Sequence, residues 1–249
     1  MYRDRAVLIT GIVLIAALAW VYTIREANAI YAMHAGMDMS GHVDISWSTE
    51  AAIYNLTMWV VMMIAMMTPS IAPAVLLFAK HSRTQQAAGR PYVPASAFLA
   101  GYLLVWTAFS VVATAAHWLL EKYGFLTMMM EPSSAKIAGV ILIVAGVFQF
   151  TPLKHACLKH CRGPLDVIMH GWKPGVPGAL STGVWHGAYC TGCCWALMLL
   201  LFAAGVMNIM WVALISIFVL IEKLAPRAEL IARIAGAVLI AAGLWMFVR

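Results

Sequence analysis

The sequence has 249 residues, of which 63% are hydrophobic and only 10% are charged, and its formal net charge at pH 7 is +6. A soluble domain of this length cannot hide so much apolar surface from water, so the composition indicates an integral membrane protein. The chain has five cysteines, and the odd number argues against the disulfide framework of a secreted protein.

Seven segments have the composition of membrane-spanning helices, each of which needs about 20 predominantly apolar residues. The sequence therefore predicts an all-α, polytopic transmembrane helical bundle with short connections. The first span is expected to be an anchor; a cleaved signal is the alternative, because Ala27-Asn28-Ala29 resembles a processing site. We expect spans at residues 6–24, 52–79, 95–120, 135–151, 178–204, 207–222 and 230–248.

Lysine and arginine are concentrated in alternate connections between these spans. Short loops rich in these residues stay on the cytoplasmic side, so the amino terminus is expected inside and the carboxyl terminus outside. The positive net charge then follows from topology and does not indicate nucleic-acid binding. The residues that carry this signal are Arg3 and Arg5; Lys80, Arg83 and Arg90; Lys154, Lys159, Arg162 and Lys173; and Lys223, Arg227 and Arg233.

The fourth and seventh spans repeat each other, since residues 136–150 match residues 233–247 almost position for position. Glu-Lys precedes both copies, at Glu121-Lys122 and Glu222-Lys223. A unit of three helices is odd in number, so we expect a 3+3 inverted repeat with its ligand site near the midplane. Chance similarity between apolar helices is the alternative. The expected organisation is an anchor with an external loop over residues 1–50 and a metal-binding membrane domain over residues 51–249, with units at about 51–152 and 178–249.

The predicted external loop between the first two spans alternates thioether, imidazole and carboxylate groups. Such a loop suits capture of copper in an oxidising compartment, where thiols would be oxidised but thioethers and imidazoles stay usable. A solvated loop with a chance cluster is the alternative. The candidate ligands in this loop are His34, Met37, Met39 and His42.

Methionines cluster on one face of the second span. Met58, Met62 and Met66 follow at intervals of four, and Met63 and Met67 lie beside them. Thioether sulfur is a good ligand for Cu(I) and a poor one for zinc, magnesium or calcium, so Met62 and Met66 are candidate ligands. Ordinary core packing is the alternative, because methionine fills irregular gaps.

A cytoplasmic segment supplies two histidines and two thiols within seven residues: His155, Cys157, His160 and Cys161. Cys157, His160 and Cys161 are candidate ligands of an inner acceptor site, and His155 is a weaker candidate. The spacing does not match a zinc finger. Basic residues of this segment also serve as topological anchors, which is the alternative explanation.

The fifth span carries the most informative pattern. His186, Cys190, Cys194 and Met198 follow at intervals of four and form one ridge of a helix, with Cys193 beside it. Soft ligands in an apolar segment indicate a soft metal or redox chemistry. A packing face of small residues is the alternative, since cysteine packs as a small hydrophobe. We expect three groups of ligands at successive depths of one copper path: the external Met/His loop, the Met and Cys faces of the second and fifth spans near the midplane, and the internal Cys/His segment.

Five motifs occur along the second half of the chain and in its second span: Trp59-x-x-Met62-x-x-Ala65-Met66-Met67-x-Pro69, Thr151-Pro152-Leu-Lys-x-x-Cys157-Leu-x-x-Cys161-Arg162, Gly192-Cys193-Cys194-Trp195-Ala-Leu-Met198, Gly205-Val-Met207-Asn208 and Glu222-Lys223. Together they resemble a bacterial family of predicted metal-binding integral membrane proteins of unassigned function, some of whose members are labelled copper chaperones. The resemblance covers roughly residues 50–248 and implies a membrane location and metal binding; the external loop lies outside the motifs.

The leading hypothesis is a non-enzymatic membrane protein that handles Cu(I) by transfer, chaperone-like delivery or transport. Its expected partners are the metal ion, membrane lipids and a copper donor or acceptor protein. No Gly-rich phosphate loop occurs in the sequence, so direct use of a nucleotide is not expected. A thiol oxidoreductase using Cys190-x-x-Cys193 and the Cys157/Cys161 pair is the second hypothesis. A structural or assembly subunit of a membrane complex is the third.

Overall fold

The structure is a computed structural model that describes residues 2–35, 47–89, 91–127, 130–163 and 175–248. These residues form eight helices, with one isolated β-bridge between Leu126 and Pro132, which confirms the predicted all-α class. The helices are α1 (Tyr2–Ala35), α2 (Thr49–Ala87), α3 (Ala95–Lys122), α4 (Ala135–Phe148), α5 (Pro152–Arg162), α6 (Gly175–Ala204), α7 (Ile209–Leu224) and α8 (Ala228–Val248).

Four helices begin at a side chain that accepts a hydrogen bond from the backbone of the first turn. Ser48 accepts from Ala51 in α2, and Asn208 accepts from Trp211 in α7. Ser134 and Thr151 cap α4 and α5 in the same way. These side chains satisfy backbone donors that the helix itself leaves unpaired, so the local sequence fixes where the helices start.

Five helices are long and apolar enough to cross a membrane: α1, α2, α3, α6 and α8. Helices α4 and α5 meet at a bend of 66° and add a sixth candidate only if the bent pair is one broken span. At a rise of about 1.5 Å per residue, the 14 residues of α4 and the 16 of α7 are shorter than the roughly 30 Å of a bilayer core. In the described part of the chain, the predicted number of seven spans is therefore not confirmed.

Helices α2, α3 and α6 form the centre of the bundle. Phe78 of α2 stacks on Phe98 of α3 with ring centroids 4.9 Å apart, and Trp59, Tyr102 and Trp106 are fully buried nearby in the same core. Helix α1 packs against α2, and α4 packs against α6 and α8. The outer helices α1 and α8 keep most of their apolar side chains exposed.

The two repeated segments, α4 and α8, lie directly against each other. A methyl group on Gly139 would lie 2.9 Å from the carbonyl oxygen of Gly243, and one on Gly146 would lie 2.8 Å from that of Gly236. Gly139 corresponds to Gly236 in the repeat, and Gly146 corresponds to Gly243. The two helices are thus antiparallel, and the first glycine of each copy contacts the second glycine of the other. An inverted repeat requires this symmetric contact between two corresponding helices. The inverted repeat of the whole chain stays a prediction.

Candidate metal centre

The thiol of Cys190 lies at the meeting point of three helices. Its sulfur is 3.1 Å from the hydroxyl oxygen of Tyr102 on α3 and 2.9 Å from the Nζ atom of Lys223 on α7. The same ammonium group donates to the hydroxyl of Ser70 on α2 at 2.8 Å. Cys190, Tyr102 and Lys223 are all buried. A cation in contact with a sulfur favours the thiolate, which is the form that binds metal.

Glycines bring α3 close enough to α6 for this contact. A methyl group on Gly183 would collide with the carbonyl group of Phe98, and one on Gly101 would collide with that of Leu180. Such small residues let two helix backbones approach closely. Gly101 and Gly183 therefore position Tyr102 against the cysteine ridge of α6. They also form part of a packing face of small residues, which is the alternative that the sequence offers.

Cys161 of α5 completes a group of buried thiols. It is buried in the same core as Cys190 and Cys193 of α6, and its thiol lies beside theirs. The thiols of Cys193 and Cys194 donate to the carbonyl oxygen of Cys190 at 3.1 Å and 2.8 Å. One thiol of α5 and three thiols of α6 thus lie in the same part of the core. All five cysteines of the chain are among the described residues, and all of them are free thiols.

Helix α5 is held in this position by charged side chains that bind the end of α7. Lys154 donates to the carboxylate of Glu222 at 2.7 Å, and both side chains are almost fully buried. Arg162 donates to the backbone carbonyls of Lys223, at 3.1 Å, and Ala225. A guanidinium group on these carbonyls is favourable because they carry the negative end of the helix dipole. The bend between α4 and α5 and these contacts together carry Cys161 to α6.

The donor set suits a soft ion, because thiolates select Cu(I), zinc and iron–sulfur clusters over hard cations. The residues that the structure describes contain no group of three or more His, Cys, Asp or Glu side chains arranged to hold a metal ion. Two of the four thiols, those of Cys193 and Cys194, donate to a backbone carbonyl oxygen. Cys161 on α5 and Cys190 on α6 lie beside each other in the core, so they are the candidate pair for a two-sulfur site.

The other predicted ligands of the bundle lie in the same core. Met62 and Met66 on α2 and Met198 on α6 are fully buried, as predicted for one apolar face. His186 is buried with its ring centroid 5.8 Å from that of Phe98 and 6.1 Å from that of Tyr102. Within the described residues, its Nδ1 atom has no hydrogen-bond partner.

The cytoplasmic cluster is divided by the structure. Cys161 lies with the buried thiols of α6, whereas Cys157 and His160 are less buried; the placement of the clusters at successive depths stays a prediction. Cys157 is half-buried, and its sulfur lies against Gly192. His160 is exposed; its Nδ1 atom lies 2.8 Å from the carbonyl oxygen of Ala156, and its ring stacks on Tyr189 with centroids 4.7 Å apart.

The external loop cannot be placed relative to this site. Met37, Met39 and His42 lie outside the described residues, and of His34 only the backbone, at the end of α1, is described. The interpretation of these four residues as a capture loop stays a prediction.

Sequence reasoning missed Tyr102, Ser70 and Lys223. Tyr102 and Ser70 carry no motif of their own. Lys223 lies in a Glu-Lys pair that the sequence explains as a topological signal and a repeat marker. Its position in the last turn of the apolar helix α7 is one where lysine usually extends toward water, so the sequence carries no signal for its burial.

A family model described as PpoB2, copper chaperone, matches residues 56–246. The match covers most of the chain, so the protein belongs to this copper chaperone family, and the resemblance predicted from the motifs is confirmed. Membership indicates copper handling. No curated protein and no solved structure matches the sequence.

Proposed function

We propose that this member of the copper chaperone family binds Cu(I) inside the membrane and delivers it to a partner protein. The observation that carries the proposal is the burial of Cys161 on α5 beside Cys190 and Cys193 on α6. Thiols that are distant in sequence converge at a buried point, and soft sulfur donors favour Cu(I). The ion is cargo, so reversible binding, and not catalysis, is the task of the site.

Cys161 and Cys190 are the principal ligands in this proposal. Cys193 is the reserve donor, because its thiol lies beside Cys161 and is held only by a hydrogen bond to the Cys190 carbonyl oxygen. A site with two principal ligands and one reserve ligand can exchange an ion with an incoming thiol without first releasing it. Cys157 is outside the ligand set because its sulfur packs against Gly192.

The methionines of α2 supply an approach to these thiols. Met62, Met63, Met66 and Met67 are fully buried, and the carbonyl oxygen of Met67 accepts a hydrogen bond from Tyr102 at 3.4 Å. Tyr102 also contacts Cys190, so the methionine face ends beside the thiol site. Residues four apart on a helix are about 6 Å apart along its axis, so thioethers follow at short intervals. We infer that copper captured by the external loop reaches the thiols along this face.

The proposed location is the bacterial cytoplasmic membrane, with the amino terminus in the cytoplasm. Five helices of spanning length and apolarity support the location, and alternating lysine and arginine in the connections supports the orientation. The reciprocal glycine contact of α4 and α8 supports the inverted repeat. In this arrangement the thiol site lies at the interface of the two repeat units and α5.

The test is anaerobic titration of the purified protein with Cu(I) against a chromophoric Cu(I) chelator. We expect about one tightly bound Cu(I) per chain, and loss of tight binding in Cys161→Ser and in Cys190→Ser. Cys157→Ser is the matched control on the same helix and is expected to bind as the unaltered protein does. Equal binding by all three variants would overturn the proposal.

The thiol oxidoreductase is the second candidate, because the same placement of Cys161 beside Cys190 and Cys193 suits disulfide exchange. The two functions differ when no metal is present. Counting thiols before and after a physiological disulfide donor, with metal excluded, separates them: an electron carrier loses two thiols reversibly and binds no Cu(I) in the titration. Tight Cu(I) binding that blocks this loss favours the copper function.

A further inference from the structure

Lys223 is a buried cation without a carboxylate partner among the described residues. Its side chain is only 9% exposed, and its Nζ atom contacts the sulfur of Cys190 and the hydroxyl of Ser70. The neighbouring carboxylate, on Glu222, is paired with Lys154. Lysines at the ends of apolar helices usually extend toward water, whereas Lys223 points into the core.

The position of Lys223 is fixed by its surroundings. Arg162 binds its backbone carbonyl oxygen, and Ser70 binds its ammonium group. Ser216, two turns earlier on α7, donates to the carbonyl oxygen of Met66 at 3.2 Å and holds α7 against α2. The ammonium group is therefore a built part of the thiol site and contributes one positive charge to it.

We propose that Lys223 is a specificity-determining residue that makes the site select monovalent soft cations over divalent ones. The inference rests on the proposed function and adds a criterion of charge to it. Two thiolates carry two negative charges, which one monovalent cation and one ammonium group neutralise. A divalent cation on the same two thiolates leaves one uncompensated positive charge, which is costly in a buried site.

The alternative way to hold a divalent ion is to recruit further thiolates, since structural zinc sites have four ligands. The thiols of Cys193 and Cys194 are engaged with the carbonyl oxygen of Cys190. A zinc-like ion would have to break both hydrogen bonds, whereas a two-coordinate ion between Cys161 and Cys190 breaks neither. Charge balance and coordination number thus both favour a monovalent, two-coordinate soft ion.

The experiment compares the affinities of Ag(I), a monovalent soft ion that does not change its oxidation state, and Cd(II), a divalent soft ion. Both are measured by competition with chelators for the unaltered protein, Lys223→Met and Lys159→Met. Lys159 is exposed on α5, so Lys159→Met is the matched control, which removes one positive charge outside the core. We expect the ratio of Ag(I) to Cd(II) affinity to fall by at least about tenfold in Lys223→Met and to stay constant in Lys159→Met.

The outcomes separate this inference from the proposed function. If the unaltered protein binds neither Ag(I) nor Cu(I), the proposed function fails. If it binds them but Lys223→Met weakens Ag(I) and Cd(II) by the same factor, Lys223 has only a structural role and the inference is overturned. If Lys223→Met is not monodisperse in size-exclusion chromatography, Lys223→Gln removes the charge while keeping a donor for Ser70, and the same ratio decides.

Discussion

Lys154 and Glu222, which are 68 residues apart in the sequence, form a buried ion pair with 2.7 Å between Nζ and Oε2. The pair joins the start of α5 to the last turn of α7. It therefore fixes the helix that carries Cys161 relative to the helix that carries Lys223. The geometry of the thiol site depends on a contact that contains no sulfur.

Lys154→Met is expected to lower the free energy of unfolding by about 3–5 kcal/mol, because it leaves the carboxylate of Glu222 buried without a partner. Thermal unfolding of the detergent-solubilised protein measures the effect. The double variant Lys154→Met/Glu222→Leu should recover most of the loss, since it removes both charges. Lys159→Met on the same helix is the control, because Lys159 is exposed. Equal losses of stability in Lys154→Met and Lys159→Met would refute the importance of the ion pair.

A mild oxidant is expected to join Cys161 to Cys190 or Cys193. Diamide takes up two electrons and two protons as two adjacent thiols become a disulfide, so the reaction reports proximity. Trypsin cleaves after Lys159 and separates Cys161 from Cys157. The cross-linked peptide should therefore be His160–Arg162 attached to the long peptide from α6.

The cross-link also has matched controls. Cys157→Ser should leave the cross-linked product unchanged in peptide mass mapping, and Cys161→Ser should abolish it. Addition of Ag(I) before diamide should protect both thiols if they are the ligands. A cross-link that starts from Cys157 instead would contradict the placement of α5.

Gly183→Ala is expected to destabilise the bundle by about 1–3 kcal/mol, because the new methyl group collides with the carbonyl group of Phe98. The helices α3 and α6 must separate, which moves Tyr102 away from Cys190. Gly11→Ala on α1 is the matched control, since a methyl group there meets nothing within 4 Å. The melting temperatures of the two variants provide the test, and equal values would show that the close approach is unimportant.

A second polar cluster lies at the other end of α3. Trp47 donates to Glu121 at 2.7 Å, and the buried His117 lies 3.5 Å from the same carboxylate. A hydrogen bond to a charged group contributes about 1.5–3 kcal/mol. Trp47→Phe, Glu121→Gln and the double variant form a double-mutant cycle, in which we expect a coupling energy of about 1 kcal/mol or more. Additive effects on the unfolding free energy would mean that the two side chains do not stabilise each other.

The helices and the chemistry of their faces follow from local sequence. Apolar length and capping side chains such as Asn208 define the elements, and periodicity predicts that Met62, Met66 and Cys190 are buried. The structure bears out both, because these features depend on residues close together in the chain. Composition does not fix the number of spans, because a short apolar helix such as α7 differs from a spanning helix only in length.

The assembly of the thiol site does not follow from local sequence. Cys161 reaches α6 only because the chain bends by 66° after α4 and because Lys154 pairs with a carboxylate on α7. Lysines next to apolar segments usually face lipid headgroups, so their sequence positions favour a topological role. Burial of Lys154 and Lys223 becomes evident only when the partners from distant helices are in place.

The most direct test of the copper site is X-ray absorption spectroscopy at the copper edge on protein loaded anaerobically with one equivalent of Cu(I). We expect the atoms bonded to copper to be sulfur atoms, and we expect Cys161→Ser to change their number while Cys157→Ser does not. Copper bonded to nitrogen or oxygen, or a spectrum unchanged in Cys161→Ser, would contradict the assignment of the ion to the thiols of α5 and α6.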